Sequence, residues 1–596
     1  MHWPTKKSLF IFSLSAAVIF IAIVPLLKSG WPYNHDLELY PVWLSEFDLG
    51  IKDGQFLPRW APNVWVGYGS PLFSFNQPLF FYLAEAVHLV GFGLLISVKL
   101  TVILLTVLGY WFMYLFCRQF FGQRAALLSA TLYLIFPYHL GLIYTRGALA
   151  EYLAMAILPL LFFAFYKIGR AFSWRYWFLS LLSVALLLLS HNISILLYLP
   201  IVALFVLFFT PRNWRNYLIS LSAGLAGCLV SAWFWLPALV ERQYLKLDNL
   251  YTGPYDFHRH FISAKNLFFA NFWENRDTFF QISLIASLIL ILGLILALKN
   301  LKKKPRNAGL VGFFLSISLI GIIFTQSFSH VIWEKIGVLK YLQFPWRFLS
   351  LVDFGAAVIA GVIAWPEMQK LFSWISHKIF PRKNYNFTWT AAIITILALL
   401  FFSETLWPAK YLPAKPDSQY TPHQQIVDQL KNSVTLNTFA VKAAIFPRYN
   451  NLDKLEVRVN NIMYQIYESL RAGREYVYPA AEVISGQAIV NSADENSIRR
   501  EFRISAESDS RIQIQTFWFP GWQAKLDNKP VEIQVNQDYG LMEINIPAGD
   551  HNLKLEFKNT TIRTASNLIS LVSVILLIAL GFLKTIVKRQ KLKTSR

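Results

Sequence analysis

Residues 9–27 read LFIFSLSAAVIFIAIVPLL, with Lys6 and Lys7 in front and, past a short linker, His35-Asp36-Leu37-Glu38 behind. A helix of about 20 apolar residues crosses a bilayer. Positive charge favours the cytoplasmic side, so this span runs outward and delivers the acidic cluster to the far membrane face. An acid drawn toward the bilayer centre costs about 2.5–3.5 kcal/mol, so two carboxylates at this boundary are poorly placed for anchoring. They suit work on a polar group presented by a lipid. The span carries no small-residue cleavage site and is read as retained.

The rest of the chain extends this reading. Of 596 residues, 55% are hydrophobic and 16% aromatic, with a mean hydropathy of +0.42. Such a composition describes a polytopic membrane protein and excludes an ordinary soluble one. The net charge of +21 falls largely in short loops between apolar runs, which is the signature of topology. No basic patch with interleaved aromatics sits on a polar domain, so nucleic acid is not an expected partner. Cys117 and Cys228 lie in apolar segments, with neither a disulfide framework nor metal-ligand spacing.

Span length and basic loops together predict about twelve spans, near 9–27, 95–117, 125–143, 147–168, 176–190, 192–209, 217–237, 279–298, 309–325, 348–365, 388–404 and 564–585. Both termini are then cytoplasmic. The apolar stretch 78–94 is read as an interfacial or re-entrant helix, because counting it as a span would put Arg118 and Arg124 outside. The long outer loop 28–94 is rich in Trp, Pro, Tyr and Gly, and 238–278 and 326–347 form further outer loops. His258 and His260 in the second are too sparse for a metal site and are read as loop surface.

From 405 to 562 polar residues rise and period-two alternation appears. Ile512 and Ile514 alternate with Gln513 and Gln515. Met542, Ile544 and Ile546 alternate likewise, as do Leu553, Leu555 and Phe557. Pro520-Gly521, Asp527-Asn528 and Ala548-Gly549-Asp550 punctuate them as turns. The expected architecture is therefore a polytopic α-helical membrane domain over 1–404, an extracytoplasmic β-sandwich-like domain over 405–562, and a final tethering span with a basic cytoplasmic tail over 563–596.

Four groups can carry chemistry. Asp36 and Glu38 at i, i+2 can position a general base and a helper, or share a divalent cation such as Mg or Mn with a substrate phosphate; a solvated acidic loop reads the same way. Arg146 and Glu151 flank a tight outer link. Arg146 suits a lipid-linked phosphate there, since a guanidinium donates paired hydrogen bonds; the alternative is a structural Arg146–Glu151 pair. His191-Asn192 closes another outer link, as a site inside the bundle or as a helix cap. Arg347, after Phe344-Pro345-Trp346, runs against the positive-inside trend and asks for an anionic partner; the alternative is an interfacial anchor.

These motifs, in this order along a many-span chain, resemble the GT-C superfamily of membrane glycosyltransferases. The chain looks closest to bacterial YfhO-like proteins and the membrane family labelled 6-pyruvoyl-tetrahydropterin-synthase-related. The carriers are His35-Asp36, Arg146-Gly147-Ala148 with Glu151, Phe344-Pro345-Trp346-Arg347, Phe519-Pro520-Gly521-Trp522 and Pro547-Ala548-Gly549-Asp550-His551. The resemblance implies transfer of a sugar from a polyprenyl-phosphate donor to a glycan, lipid or protein acceptor of the cell envelope, on the outer face of a bacterial inner membrane. By it, Asp36 is the base on the acceptor hydroxyl and Glu38 assists or helps hold a metal. Arg146 and Arg347 face the donor phosphate, with His35, Glu151, His191 and Asn192 in support. The loop lacks the adjacent Asp-Asp or Glu-Asp pair of the best-known members. The rival expectation is a non-enzymatic protein, either a lipid-linked-glycan transporter or an envelope polysaccharide assembly factor. The pterin label does not imply pterin chemistry, because a zinc-dependent synthase needs a histidine cluster.

Overall fold

The computed structural model describes residues 6–36, 39–245, 251–264, 267, 284–300, 308–363, 408, 410–424, 452–472, 476 and 478–594. Glu38 and the span expected at 388–404 lie outside the described residues. The chain divides into two compact units. One comprises 1–37, 98–227 and 248–414; the other comprises 38–97, 228–247 and 415–596.

Among the described residues, six helices are long and apolar enough to cross a membrane: Leu94–Cys117, Leu149–Arg170, Asn192–Phe209, Ala308–Thr325, Pro345–Val362 and Thr561–Phe582. Two bent pairs raise the number to eight if each is one span. These breaks fall inside stretches expected as single spans. Gln123–Ile135 and Pro137–Arg146 meet at 43°, because Pro137 lacks the N–H that would continue the helix. The second break separates Trp214–Val230 from Ala232–Tyr244, and there the Trp235 indole N–H caps the carbonyl of Cys228 at 2.8 Å. Within 78–94 the helix is Pro78–His88, 11 residues long and at about 1.5 Å per residue too short to cross a bilayer.

Proline also shapes the first unit from within. Pro159 lies inside helix Leu149–Arg170 and leaves the carbonyl of Met155, one turn earlier, without a helical donor. The hydroxyl of Tyr133 donates to that carbonyl at 2.7 Å. Short strand β1 (Trp31–Pro32) pairs antiparallel with β2 (Tyr411–Leu412), which fixes the chain just before the acidic cluster.

The second unit contains two antiparallel sheets. One has the order β3 (Ala481–Ser485), β6 (Ser510–Phe517), β10 (Leu541–Ile546), β9 (Gln534–Val535). The other runs β4 (Ala488–Asn496), β5 (Arg499–Ala506), β11 (Gly549–Phe557), β7 (Trp522–Leu526), β8 (Lys529–Val531). The alternating apolar residues meet in one core: Ile512, Ile514, Met542, Ile544, Ile546, Leu553 and Leu555 are all buried. Asp527 and Asn528 both take positive φ and form the two-residue turn between β7 and β8, the geometry that matches strand twist. The alternation is one-sided in the sequence but not in the structure. Gln513 and Gln515 are buried as well, because Gln513 donates to Glu543 at 3.1 Å and Gln515 to Glu482 at 3.2 Å. Arg458, on helix Leu452–Arg471, donates to Gln515 at 3.2 Å.

Candidate functional site

The candidate site lies within the first unit and is assembled from three stretches of chain. The first is the segment after the N-terminal helix. The backbone N–H of His35 donates to the carbonyl of Thr145 at 3.3 Å, and that of Asp36 to the carbonyl of Arg146 at 3.0 Å. The Asn34 side chain donates to the carbonyl of Ile143 at 3.0 Å. Asp36 is thus hung by its backbone beside Arg146, while His35 remains exposed.

The second stretch is the broken span. Its second half ends in a π-helical turn, Leu142–Arg146, a feature that recurs at functional sites. Gly147 follows in the left-handed region at φ 69°, where glycine carries no steric penalty. The chain then enters helix Leu149–Arg170 with Glu151 in its first turn, favourable for a carboxylate against the helix dipole.

Residues 342–347 supply the third. Gln343 adopts φ 60°, ψ −50°, a conformation a non-glycine residue holds only when its surroundings enforce it. The Arg347 guanidinium does so: its Nη1 donates to the Leu342 carbonyl at 2.6 Å and to Gln343 Oε1 at 3.0 Å.

These stretches meet at Glu151. Its Oε2 accepts from Arg146 Nη1 at 3.3 Å and from Arg347 Nε at 3.2 Å, and its Oε1 accepts from the Tyr138 hydroxyl. Glu151, Arg146 and Arg347 are all buried. Two guanidinium groups sharing one carboxylate leave one positive charge in excess. Asp36 lies within electrostatic reach of both arginines. Burial pushes its carboxyl above the usual range, and the charges of Arg146, His35 and Arg347 only partly offset this.

Aromatic rings form one wall. Phe344 and Trp346 stack at 4.4 Å with 6° between planes. The Arg146 guanidinium lies 5.4 Å from the Phe344 ring and 5.9 Å from that of Trp346, and Arg347 lies 4.9 Å from Phe344. Such contacts hold a cation without consuming its hydrogen-bond donors. His260 meets both rings edge-on at 4.8 Å, so it belongs to this wall rather than to a bare loop surface. His258 is separate and exposed, between Asp256 at 2.7 Å and Glu334 at 3.2 Å.

His191 caps helix Asn192–Phe209: its Nδ1 accepts from the Ser194 N–H at 3.3 Å and lies 2.7 Å from the Ser194 hydroxyl. It also feels the charges of Glu151, Arg347 and Arg146. Burial pushes its imidazole below the usual range, so it stands neutral at the edge of the cluster. Asn192 is the first residue of that helix.

Tyr138, Gln343 and His260 were not expected as site residues. Pro137 is the one sequence signal near Tyr138, since a proline within an apolar run marks where a spanning helix can open.

Among the described residues no group of three or more His, Cys, Asp or Glu could hold a metal ion; Glu38, the second of the two acids expected to share a cation, lies outside them.

No curated protein sequence matches the chain. Among solved structures, the chain is similar to the arabinofuranosyltransferase AftD from Mycobacteria, with 15% identity and a TM-score of 0.43 over 68% of this chain and 28% of that one. It is also similar to ArnT from Cupriavidus metallidurans bound to undecaprenyl phosphate, with 14% identity and a TM-score of 0.39 over 72% and 80% of the two chains. A third is the Archaeoglobus fulgidus oligosaccharyltransferase in complex with zinc and sulfate, with 14% identity and a TM-score of 0.37 over 74% and 57%. The chain thus spans little more than a quarter of the mycobacterial protein's length. The profile of the family described as "6-pyruvoyl-tetrahydropterin synthase related domain; membrane protein" matches residues 73–411. With that match running over more than half its length, the chain belongs to the 6-pyruvoyl-tetrahydropterin synthase related family of membrane proteins.

Proposed function

We propose that this protein is a GT-C-type membrane glycosyltransferase that moves a sugar from a polyprenyl-phosphate donor to a cell-envelope acceptor on the outer face of a bacterial inner membrane. The observation that carries the reading is the pairing of Arg146 and Arg347 on the single carboxylate of Glu151, with Asp36 beside them. A sugar–phosphate bond breaks with positive charge growing on the sugar and negative charge on the departing phosphate. The excess guanidinium charge meets the phosphate, and a carboxylate meets the acceptor. Arg347 Nη2 makes no hydrogen bond among the described residues and is a donor for a phosphate oxygen.

In the proposed step the acceptor oxygen forms a bond to the anomeric carbon, and its proton passes to Asp36. The bond from the anomeric carbon to the phosphate oxygen breaks, and its electron pair leaves on the polyprenyl phosphate. The raised pKa of Asp36 strengthens it as a base. Glu151 and Tyr138 hold the arginines, and the Phe344–Trp346 wall narrows the space in which they move. The termini are proposed to be cytoplasmic and the β-rich part extracytoplasmic.

The test is incubation of the purified protein with a panel of polyprenyl-phosphate sugars and envelope acceptors, with and without chelator. Release of polyprenyl phosphate coupled to glycosylated acceptor is the expected result, and loss of transfer with chelator would assign a divalent cation to the step. No transfer from any donor, with intact donor binding, would favour the transporter or assembly-factor alternative.

A further inference from the structure

The second unit holds a buried guanidinium that the reaction above does not use. Pro237 sits inside helix Ala232–Glu241 and has no N–H, so the carbonyl of Trp233, one turn earlier, has no helical donor. Arg59 supplies one: its Nη2 donates to that carbonyl at 2.9 Å and to Asn567 Oδ1 at 3.3 Å. The rest of the group is unspent. Arg59 is 3% exposed, and its Nε and Nη1 are buried without a hydrogen-bond partner among the described residues. Nε carries one N–H and Nη1 carries two.

The neighbouring charges do not compensate it. Arg563 is fully buried and near enough to act on Arg59 electrostatically, and Glu241 is the nearby acid. Glu241 is already committed: its Oε2 accepts from Arg563 Nε at 3.0 Å and Nη2 at 2.9 Å, and its Oε1 from the Thr560 hydroxyl at 2.7 Å. Two cations face one engaged carboxylate, and an uncompensated buried charge is costly. A guanidinium with unspent donors selects an oxyanion with several acceptor oxygens, above all phosphate.

The surroundings indicate where such an anion comes from. Asn567 lies on the last helix, Thr561–Thr594, whose apolar stretch is largely exposed, with Leu568 and Leu571 among its bare side chains. Phe56, three residues before Arg59, is 90% exposed. Bare apolar side chains on the two segments that meet at a cation suit the depth of lipid headgroups. We infer that Arg59 binds a phosphate oxyanion, carried by a lipid headgroup or free in solution, beside the first turns of the last helix.

The experiment uses the purified full-length chain in neutral detergent, with dodecyl phosphate and inorganic phosphate as probes and equilibrium binding and thermal shift as readouts. Wild type, Arg59→Gln and Arg59→Lys are compared, with Arg347→Lys to report the separate site in the first unit. Arg59→Gln is expected to weaken one class of phosphate site at least tenfold and to remove its part of the thermal shift. Arg59→Lys, which keeps the charge but not the paired donors, falls between. A response to dodecyl phosphate alone assigns a lipid source, and a response to both probes assigns a free anion. Identical binding in wild type and both Arg59 variants, or loss confined to Arg347→Lys, overturns the inference and leaves the glycosyltransferase reading standing. Should Arg59→Gln not fold, the Arg59→Lys comparison decides.

Discussion

Arg347 and Glu151 stand 196 positions apart in the chain, yet the Nε of one meets the Oε2 of the other at 3.2 Å, inside a buried cluster. Removing one partner of a buried ion pair is strongly destabilising, about 3–5 kcal/mol, because the other charge is left uncompensated. In Glu151→Gln both arginines lose that partner at once. The variant should unfold in detergent well below wild type and lose transfer, as read by thermal denaturation beside a donor-turnover assay. Wild-type stability in Glu151→Gln would show that Arg146 and Arg347 do not depend on this carboxylate.

In the proposed step Asp36 acts in its ionised form, so transfer is expected to fall as pH drops through its pKa. Burial raises that pKa above the ordinary 3.8, so the acid limb of the rate profile should lie higher than that of an unperturbed aspartate. Asp36→Asn should cost roughly two to four orders of magnitude in rate and abolish the limb, with membrane insertion and thermal stability retained. The linked stability has a definite sign. A carboxyl whose folded pKa is raised holds its proton more tightly when folded, so its contribution is fullest below 3.8 and declines as pH climbs through the raised value.

Arg347→Lys keeps the charge and loses the fork. A lysine cannot reach Glu151, the Leu342 carbonyl and Gln343 together. A lost charge-assisted hydrogen bond is worth about 1.5–3 kcal/mol, so kcat/KM should fall roughly 10- to 100-fold, with much of the loss in donor KM. Steady-state kinetics over a donor concentration series would reveal it, and an unchanged KM would remove Arg347 from donor binding.

Glu46 gives a pH test in the second unit. It is buried and accepts from the backbone and side-chain N–H groups of Asn63, both at 2.9 Å, yet burial pushes its carboxyl up to about 7. Its contribution to stability is present below 4.5 and is lost as pH rises through about 7. Glu46→Gln should therefore flatten the stability profile over this window and gain up to roughly 3 kcal/mol at pH 8. Denaturant titrations at pH 5 and pH 8 measure both; parallel profiles for variant and wild type would contradict it.

Gly521→Ala tests the turn before β7. Gly521 has φ 117°, and a Cβ there would meet the Lys558 carbonyl oxygen at 2.5 Å and Arg563 Nη1 at 2.8 Å. Backbone strain of this kind costs on the order of 1–3 kcal/mol. Limited proteolysis should cut the β-rich part faster, and wild-type resistance would show that the turn relaxes at no cost.

The membrane class, the β-rich region and the charged residues of the site could be read from the sequence, because hydropathy, alternation and interfacial charge are local patterns. Asp36, Arg146 and Arg347 stood out as polar groups bordering apolar runs. An Arg146–Glu151 pair is one of the two readings the tight link allows, but that Arg347 joins it could not be read, since nothing local in residues 146–151 reveals a partner nearly two hundred positions away. Tyr138 was hidden for a different reason: a tyrosine in an apolar run looks like packing until the helix break at Pro137 aims its hydroxyl at Glu151. The two bent spans were read as straight because hydropathy registers apolar length and not backbone continuity. The buried Gln513 and Gln515 escaped likewise, since polarity alone does not tell water from a paired carboxylate.

The backbone bonds from His35 to Thr145 and from Asp36 to Arg146 have a mechanical consequence. The acid's position is written in peptide groups, which every amino acid except proline supplies. Neighbouring side chains can drift over generations without moving it. Because the carbonyl that holds Asp36 belongs to Arg146 itself, the two backbones travel as one piece: a shift of the π-helical turn carries both.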